Sequence, residues 1–394
     1  MFGRSRASGE PSVQRRPIRV CLVAPSLDIL GGQAVQAARL QHGLQTIPSV
    51  AVGFVPINPR LPGLLRLLQR VRYVRTIVTS LRYIWTLVTH LDDYDVVHVF
   101  SASYLSFLLA PTPAVLLASW YGKRVILNYR SGEAEDHLQR WGRTAIPVLK
   151  LADALVVPSG YLVDVFARFG LSASAIANIV DLNQFQFRER KPLRPVFLSN
   201  RNFEPHYNVA CVLRAFARIQ RRYPDARLIV AGDGSQRRRL LRLARELCLN
   251  NVEFVGRVSQ DRMASLFADA DVYLNAPDID NMPGSILEAF ASGLPVVTTD
   301  AGGIPYIVRH GETGLIVPRG NYEDMAAAAV RLLEDASLAE RLVFCALEEC
   351  RRRFAPKAVL SGWVNMYEAL VAHGRVREAK STPRAGARSA TRPG

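Results

Sequence analysis

The stretch that decides the fold covers residues 280–303 and reads DNMPGSILEAFASGLPVVTTDAGG. Pro283 suits the first turn of a helix, where its missing N–H costs nothing, and Gly293 suits the position just past a helix end. We therefore predict a short helix over residues 284–292. The apolar run that follows, residues 295–299, is predicted to be a strand.

The start of this helix is a predicted ligand site. Free backbone N–H groups and the positive end of the helix dipole can bind a phosphate or another anion. Glu288 lies one turn inside the helix, so its carboxylate points back towards the helix N-terminus. Asp280 precedes the helix, and Gly302-Gly303 would let backbone approach a ligand closely. An anion site and hydrogen-bond acceptors in one small volume would suit a sugar nucleotide.

Strands alternate with helices along the whole chain. Residues 18–25 form an apolar run, which leads through Gly31-Gly32 into a helical pattern over residues 33–43. Alternation of this kind predicts parallel sheets whose ligands bind at the carboxyl ends of the strands. A chain of 394 residues is too long for one core. We expect an α/β fold of two Rossmann-like domains that face each other across a cleft.

The net charge of +16 is unevenly distributed, because no acidic residue occurs between Asp28 and Asp92. Residues 61–91 combine arginines with apolar residues at helical spacing. They could bind an anionic membrane surface, or they could be the solvated face of an ordinary helix. We expect no nucleic-acid binding, since the arginines belong to no recognisable nucleic-acid module.

Compartment is predicted from three features of the sequence. No secretory signal is visible at the N-terminus, and no run of about 18 uncharged apolar residues occurs. The cysteines are scattered, odd in number and without CxxC spacing. These features predict a cytoplasmic protein with reduced cysteines. The basic segment over residues 61–91 adds the expectation that it is peripheral to the inner face of the cell membrane.

Several short motifs together resemble the C-terminal domain of the family 4 retaining glycosyltransferases, which belong to the group 1 glycosyltransferases and have the type-B (GT-B) fold. The motifs are Asp280-x7-Glu288, Gly293-x-Pro295, Gly302-Gly303-x-Pro305, Gly311-x-Thr313-Gly314 and Gly232-Asp-Gly234. The N-terminal half resembles the family more loosely. The resemblance implies retaining transfer of a sugar from a nucleotide-diphosphate donor to a lipid-linked or envelope or exopolysaccharide glycan acceptor.

The resemblance also implies roles for residues around the predicted helix. Glu288 would bind the ribose hydroxyls of the nucleotide. Asp280 would contact hydroxyls of the donor sugar, helped by backbone N–H groups near Gly284 and Ser285. No cofactor and no metal are expected, because the family needs no divalent ion and the sequence has neither Asp-x-Asp nor a His/Asp cluster of ligand spacing.

The resemblance also implies donor-binding roles for residues that follow predicted strands in both halves of the chain. Arg201 would clamp the diphosphate from one domain, and Gly31-Gly32 would hold it from the other. The turns at Gly232 and at Arg257-Val258 would flank the base. Catalysis would then consist of positioning and of stabilising the departing phosphate.

Three positions depart from the family's usual pattern. Asp280 stands where a Glu is usual, Tyr207 where a Lys is usual, and Arg130 where a His is common. We hypothesise that Arg130 restores positive charge near the phosphate. His98 is either a packed strand residue or a contact on the acceptor side.

The resemblance and the composition together divide the chain into five segments. They are a disordered basic arm (1–16), an acceptor-side domain (17–190), a nucleotide-sugar domain (191–355), a helix that returns to the first domain (356–373) and a disordered basic tail (374–394). Two alternatives stay open for function. A catalytically silent sugar-nucleotide-binding paralogue would also explain the three departures, and fold alone does not exclude an epimerase or a phosphorylase.

Overall fold

The computed structural model describes residues 16–27, 31–60 and 72–381. They form two α/β domains, each built on a six-stranded sheet in which every paired strand is parallel. This confirms the predicted class of two Rossmann-like domains. Helices cover both faces of each sheet, and this explains why the strands read as nearly continuous apolar runs.

The first domain contains strands β1 (Ile18–Ala24), β2 (Val50–Pro56), β3 (Val96–Ser101), β4 (Arg124–Tyr129), β5 (Ala154–Val157) and β6 (Ser174–Ala175). Their order in the sheet is β2-β1-β3-β4-β5-β6. Its helices are α1 (Gly32–Gln45), α2 (Arg72–His90), α3 (Tyr104–Leu109), α4 (Pro111–Trp120), α5 (Ala134–Leu149) and α6 (Gly160–Arg168).

The second domain contains strands β7 (Val196–Ser199), β8 (Arg227–Ala231), β9 (Val252–Gly256), β10 (Val272–Asn275), β11 (Val296–Thr299) and β12 (Leu315–Val317). Their order is β12-β11-β10-β7-β8-β9. The remaining helices are α7 (Val209–Arg222), α8 (Arg237–Glu246), α9 (Gln260–Asp269), α10 (Gly284–Ser292), α11 (Tyr322–Glu334), α12 (Ala336–Glu349) and α13 (Pro356–Ser381).

Helix α10 is the helix predicted from the opening stretch. Pro283 occupies its N-cap position, and Gly293 ends it with a left-handed φ of 73°. All residues after the first, from Ser285 to Ser292, are buried, as expected for a helix that is apolar nearly all round. The core of the second domain therefore fixes α10, and its N-terminus is held rigidly at the edge of the sheet.

The chain passes into the second domain earlier than predicted. Val180 and Phe185 already pack in the core of that domain. The Arg190 guanidinium is buried there and donates to the carbonyl oxygens of Phe267, Ala270 and Ser292. The boundary predicted between residues 190 and 191 therefore lies near residue 180, because the segment that follows is held by carbonyl groups of the second domain.

Helix α13 carries the chain back to the first domain. Leu360, Trp363 and Tyr367 pack in the core beside β1 and β3. The helix continues to Ser381, past the predicted end at residue 373, so the first part of the predicted disordered tail is helical. Residues 382–394 and the predicted N-terminal arm up to residue 15 lie outside the described residues.

Helix α2 has two different faces. Tyr83 and Leu87 are fully buried, and the Tyr83 hydroxyl donates to a backbone carbonyl oxygen at 2.8 Å. On the other face Ile77, Leu81 and Trp85 are exposed by 61%, 63% and 62%.

The basic amphipathic helix predicted over residues 61–91 is described only in part. Helix α2 begins at Arg72, and residues 61–71 lie outside the described ranges. Within those ranges, none of the helices combines the length and the apolar character needed to cross a bilayer.

Candidate active site

A cavity of about 450 Å³ lies between the two domains. Most of the predicted site residues line it: Gly31, Gly32, Arg130, Arg201, Tyr207, Gly232, Arg257, Val258, Asp280, Gly284, Ser285 and Glu288. His98, Gly302 and Gly303 do not. Parallel strands end at the same edge of their sheet, so loops that follow different strands meet there. The two sheets turn these edges towards each other.

An ion pair between Arg201 and Asp280 forms one wall of the cavity. Arg201 follows β7, and its Nη2 lies 2.5 Å from Asp280 Oδ2, with both side chains almost fully buried. Its Nη1 donates to Ser285 Oγ at 3.2 Å. Burial opposes the charge, but Asp280 together with Tyr207, Tyr273 and Glu288 outweighs it, so the pKa of Arg201 is raised. Arg201 Nε is buried without a partner among the described residues, which leaves one donor for a ligand.

Tyr207 stands beside this ion pair. Its ring lies 4.0 Å from the Arg201 guanidinium carbon, a distance typical of a cation–π contact. The resemblance implied a Lys at this position, whereas Tyr207 brings no positive charge. Arg201 is therefore in contact with three side chains of the second domain: the Tyr207 ring, Asp280 and Ser285.

Arg130 enters the cavity from the first domain, directly after β4. Its two terminal nitrogens donate to the amide oxygens of Asn128 and Asn178, and its guanidinium carbon lies 5.3 Å from the centre of the Phe100 ring. Burial lowers the pKa of Arg130 to about 10. The side chain is therefore still a cation at neutral pH, and these partners are all uncharged.

Glu288 is held by a residue that the sequence did not identify. Its Oε1 lies 3.0 Å from Nη2 of Arg39 on α1, and each side chain is only 10% exposed. Gln36, one turn earlier on α1, lines the same cavity. The only signal in the sequence was an arginine among the apolar positions of the helix that follows the glycine turn.

The glycines of the site differ in what they permit. A Cβ added to Gly31 or Gly32 would meet no protein atom within 4 Å, and Gly31 is extended with φ of −169°. The fold therefore does not require glycine there, and the open space belongs to the cavity. At Gly232, by contrast, φ is 141° and a Cβ would lie 2.2 Å from the Arg201 carbonyl oxygen. This glycine is needed by the fold itself.

Gly302 and Gly303 are also needed by the fold, because an added Cβ would meet a backbone oxygen at either position. A Cβ on Gly302 would lie 2.1 Å from the Asp280 carbonyl oxygen, and one on Gly303 would lie 2.1 Å from that of Asn281. The expectation that they let backbone approach a ligand is corrected, because what approaches them is the loop before α10. They set the position of Asp280.

His98 does not line the cavity, so of its two predicted roles the structure shows the packed strand residue and not the acceptor-side contact. It is fully buried in β3, where Nδ1 lies 2.8 Å from the Tyr367 hydroxyl and Nε2 accepts from the Asn128 amide at 3.0 Å. Its ring centre lies 4.4 Å from that of Trp363. Burial, and then the charge of Arg130, lowers the pKa of His98 to about 3. His98 therefore joins the sheet to α13.

Contacts across the cleft close the rim of the cavity. Ser159 Oγ donates to Asn281 Oδ1, and Asn178 Nδ2 donates to the Met282 carbonyl oxygen at 2.8 Å. Asn281 lines the cavity, and its Nδ2 is buried without a partner in the part of the chain that the structure describes. Like Arg201 Nε, this amide nitrogen is a donor that a ligand could satisfy.

Two helix N-termini, one from each domain, start at the cavity. Helix α1 begins at Gly32 and α10 at Gly284, and neither has an acidic residue in its first turn. Both ends are therefore suited to an anion. In the described ranges no group of three or more His, Cys, Asp and Glu side chains is placed to hold a metal ion.

Comparison with known proteins gives a sequence match in the second domain. Residues 181–345 match the family of glycosyl transferases group 1. N-acetyl-alpha-D-glucosaminyl L-malate synthase of Bacillus anthracis is 32% identical over 42% of this chain. Phosphatidyl-myo-inositol mannosyltransferase of Mycobacterium leprae is 30% identical over 61%. The matches span 43% and 59% of these relatives' own lengths.

Solved structures match over most of the chain. Anabaena HepE, crystallised in complex with UDP and glucose, has a TM-score of 0.71 at 16% identity, covering 89% of this chain and 99% of that one. At this identity the match concerns the fold, and it agrees with two Rossmann-like domains around a cleft. The chain thus has the GT-B fold, and its second domain matches the group 1 glycosyltransferases in sequence.

Proposed function

We propose that this chain is a retaining glycosyltransferase that needs no metal. It would move a sugar from a nucleoside-diphosphate donor to a lipid-linked or envelope or exopolysaccharide glycan acceptor. The observation that carries the proposal is the gathering of the predicted donor residues, drawn from both domains, around one cavity. The match to glycosyl transferases group 1, the relative named as a mannosyltransferase, and the UDP and glucose in HepE support the same substrate class.

The charges around the cavity support a diphosphate leaving group. Arg201 and Arg130 are partly buried cations on opposite domains, and the starts of α1 and α10 add partial positive charge. Held in place before the reaction, such groups stabilise charge where it develops. They would replace a divalent ion in neutralising the departing phosphate.

The proposed transfer needs no protein nucleophile. The bond between the anomeric carbon and the phosphate oxygen breaks, and the acceptor oxygen bonds to that carbon on the same face. The acceptor proton passes to the leaving diphosphate. Asp280, fixed by Arg201 and by the glycines beneath its loop, would hold hydroxyls of the donor sugar. The protein contributes position and charge.

The acceptor is proposed to lie at an anionic membrane surface. The outer face of α2 carries exposed Ile77, Leu81 and Trp85, and the helix contains no acidic residue. On the neighbouring helix α4, Trp120 is 83% exposed. An apolar face with basic residues beside it is typical of helices that bind anionic lipid. A relative whose name includes phosphatidyl-myo-inositol supports a lipid-linked acceptor.

Incubation with UDP- and GDP-sugars and a membrane extract tests the proposal. We expect release of nucleoside diphosphate that depends on the extract and persists in a chelator. NMR of the product should show the anomeric configuration of the donor. If folded protein turned over no donor in the panel, transferase activity would be refuted. A product of inverted anomeric configuration would refute the retaining mechanism. Loss of turnover in the chelator would refute the claim that no metal is needed.

Two alternatives make different predictions in the same assay. A same-fold epimerase would convert the donor sugar without any extract. A silent sugar-nucleotide-binding paralogue, which the departures at Asp280, Tyr207 and Arg130 favour, would bind a donor tightly and release no diphosphate. Calorimetry with the same panel separates binding without turnover from the absence of binding.

A further inference from the structure

A buried ion pair links α1 of the first domain to α10 of the second. Arg39 Nη2 lies 3.0 Å from Glu288 Oε1, and both side chains are 10% exposed. Removing two charges from water costs more than their attraction returns unless the geometry is good and further hydrogen bonds assist. A pair of this kind in the wall of a ligand cavity therefore needs an explanation beyond stability.

We propose that Arg39 is the positioning residue for Glu288, which it turns towards the ribose of the nucleotide. This inference rests on the proposed function, in which Glu288 binds the ribose hydroxyls. Arg39 binds Oε1 of the carboxylate. No other side-chain hydrogen bond of Glu288 occurs among the described residues, so Oε2 is left for a ligand hydroxyl.

Several contacts fix the position of Arg39 itself. Its Nη1 donates to the Ile179 carbonyl oxygen at 3.0 Å, and its guanidinium carbon lies 5.6 Å from the centre of the Phe185 ring. Gln36, three residues earlier on the same helix face, accepts from Ile179 N at 2.8 Å and donates to Ile179 O at 2.9 Å. The segment that joins the two domains therefore holds the guanidinium on two sides.

The two terminal nitrogens of Arg39 thus have separate tasks. Nη1 binds the interdomain segment and Nη2 binds Glu288, which is a fork that a lysine ammonium cannot reproduce as a planar pair. The contact joins α1 of the first domain to α10 of the second, so Glu288 would be oriented only when both domains are in place. Arg39 is thereby a contribution of the first domain to nucleotide recognition by the second.

Discrimination between ribose and deoxyribose tests this inference. Wild type, Arg39→Gln and Arg39→Lys would be titrated by calorimetry with UDP and GDP and with their 2′-deoxy and 3′-deoxy counterparts. Wild type should prefer the ribonucleotide by about tenfold to a hundredfold, the range for one hydrogen bond to a charged group. In Arg39→Gln the ratio should fall towards one, and Arg39→Lys should lie between.

The ratio separates positioning from general damage, because a merely structural defect weakens both nucleotides equally. The matched control is Arg218→Gln, which removes an arginine from a surface ion pair with Glu323 and should keep the wild-type ratio. An unchanged ratio in Arg39→Gln would overturn the inference alone. Tighter binding of ribonucleotides by Arg39→Gln would also overturn it, because Arg39 would then compete with ribose. If wild type bound no nucleotide, the proposed function would fail as well.

Discussion

Arg130 offers the sharpest test of how the site neutralises a diphosphate. Replacing Arg130 by Ala removes a buried cation whose partners are neutral amides and an aromatic ring. No carboxylate is thereby left unpaired, so the change should mainly affect the ligand. A hydrogen bond to a charged group is worth about 1.5–3 kcal/mol. At about 1.4 kcal/mol per tenfold, kcat/KM for the donor should fall roughly tenfold to a hundredfold.

The assay is release of nucleoside diphosphate under initial-rate conditions, with thermal unfolding measured in parallel. Arg124→Ala is the matched control, because Arg124 begins the strand that Arg130 follows and pairs with Asp153 at the far end of the sheet. The control should retain wild-type turnover, and Arg130→Lys should recover part of the lost activity. Wild-type turnover in a folded Arg130→Ala protein would refute the reasoning that Arg130 supplies the missing positive charge.

Three further predictions concern other parts of the molecule. Gly31→Ala should leave thermal stability unchanged and weaken donor binding. Gly232→Ala should lower the melting temperature, because its added Cβ would lie 2.2 Å from a backbone oxygen. Equal melting temperatures of the two variants would contradict this. The pKa of His98 is near 3 when folded and near 6.5 when unfolded, so the unfolded state binds the proton first. As the pH is lowered from about 6.5 to 3, the free energy of unfolding should therefore decrease by up to about 5 kcal/mol. In acid titrations followed by circular dichroism, His98→Asn should make this decrease smaller. Replacing exposed Leu81 and Trp85 by Glu should abolish co-sedimentation with anionic vesicles without lowering the melting temperature, and vesicle binding equal to wild type would exclude this face as the contact.

Much of the candidate site could be predicted because its signals are local. The Pro283 and Gly293 ends of α10 can be identified from neighbouring residues alone, and the predicted helix has the observed bounds. The glycine turn before α1 follows from the same kind of pattern. Since parallel strands end at one edge, residues after different strands could be assigned to one cavity without knowledge of their contacts.

The contacts that the sequence could not predict are those between elements far apart in the chain. Arg39 and Glu288 are 249 positions apart, and nothing near either residue indicates that α1 faces α10. His98 follows the pattern of a strand that ends at the cleft, but α13 returns to cover it with Trp363 and Tyr367.

The sequence by itself determined the alternation of strands and helices, the ends of α10 and the residue types gathered at the strand ends, because these depend on backbone preferences and on short-range periodicity. Only the tertiary structure decided which charges are paired. Arg201 lies against Asp280 and Arg39 against Glu288, while the partners of Arg130 are neutral. The physical reason is that an ion pair depends on distance and burial in three dimensions. Both are set by packing, within the second domain for Arg201 and Asp280 and between the two domains for Arg39 and Glu288.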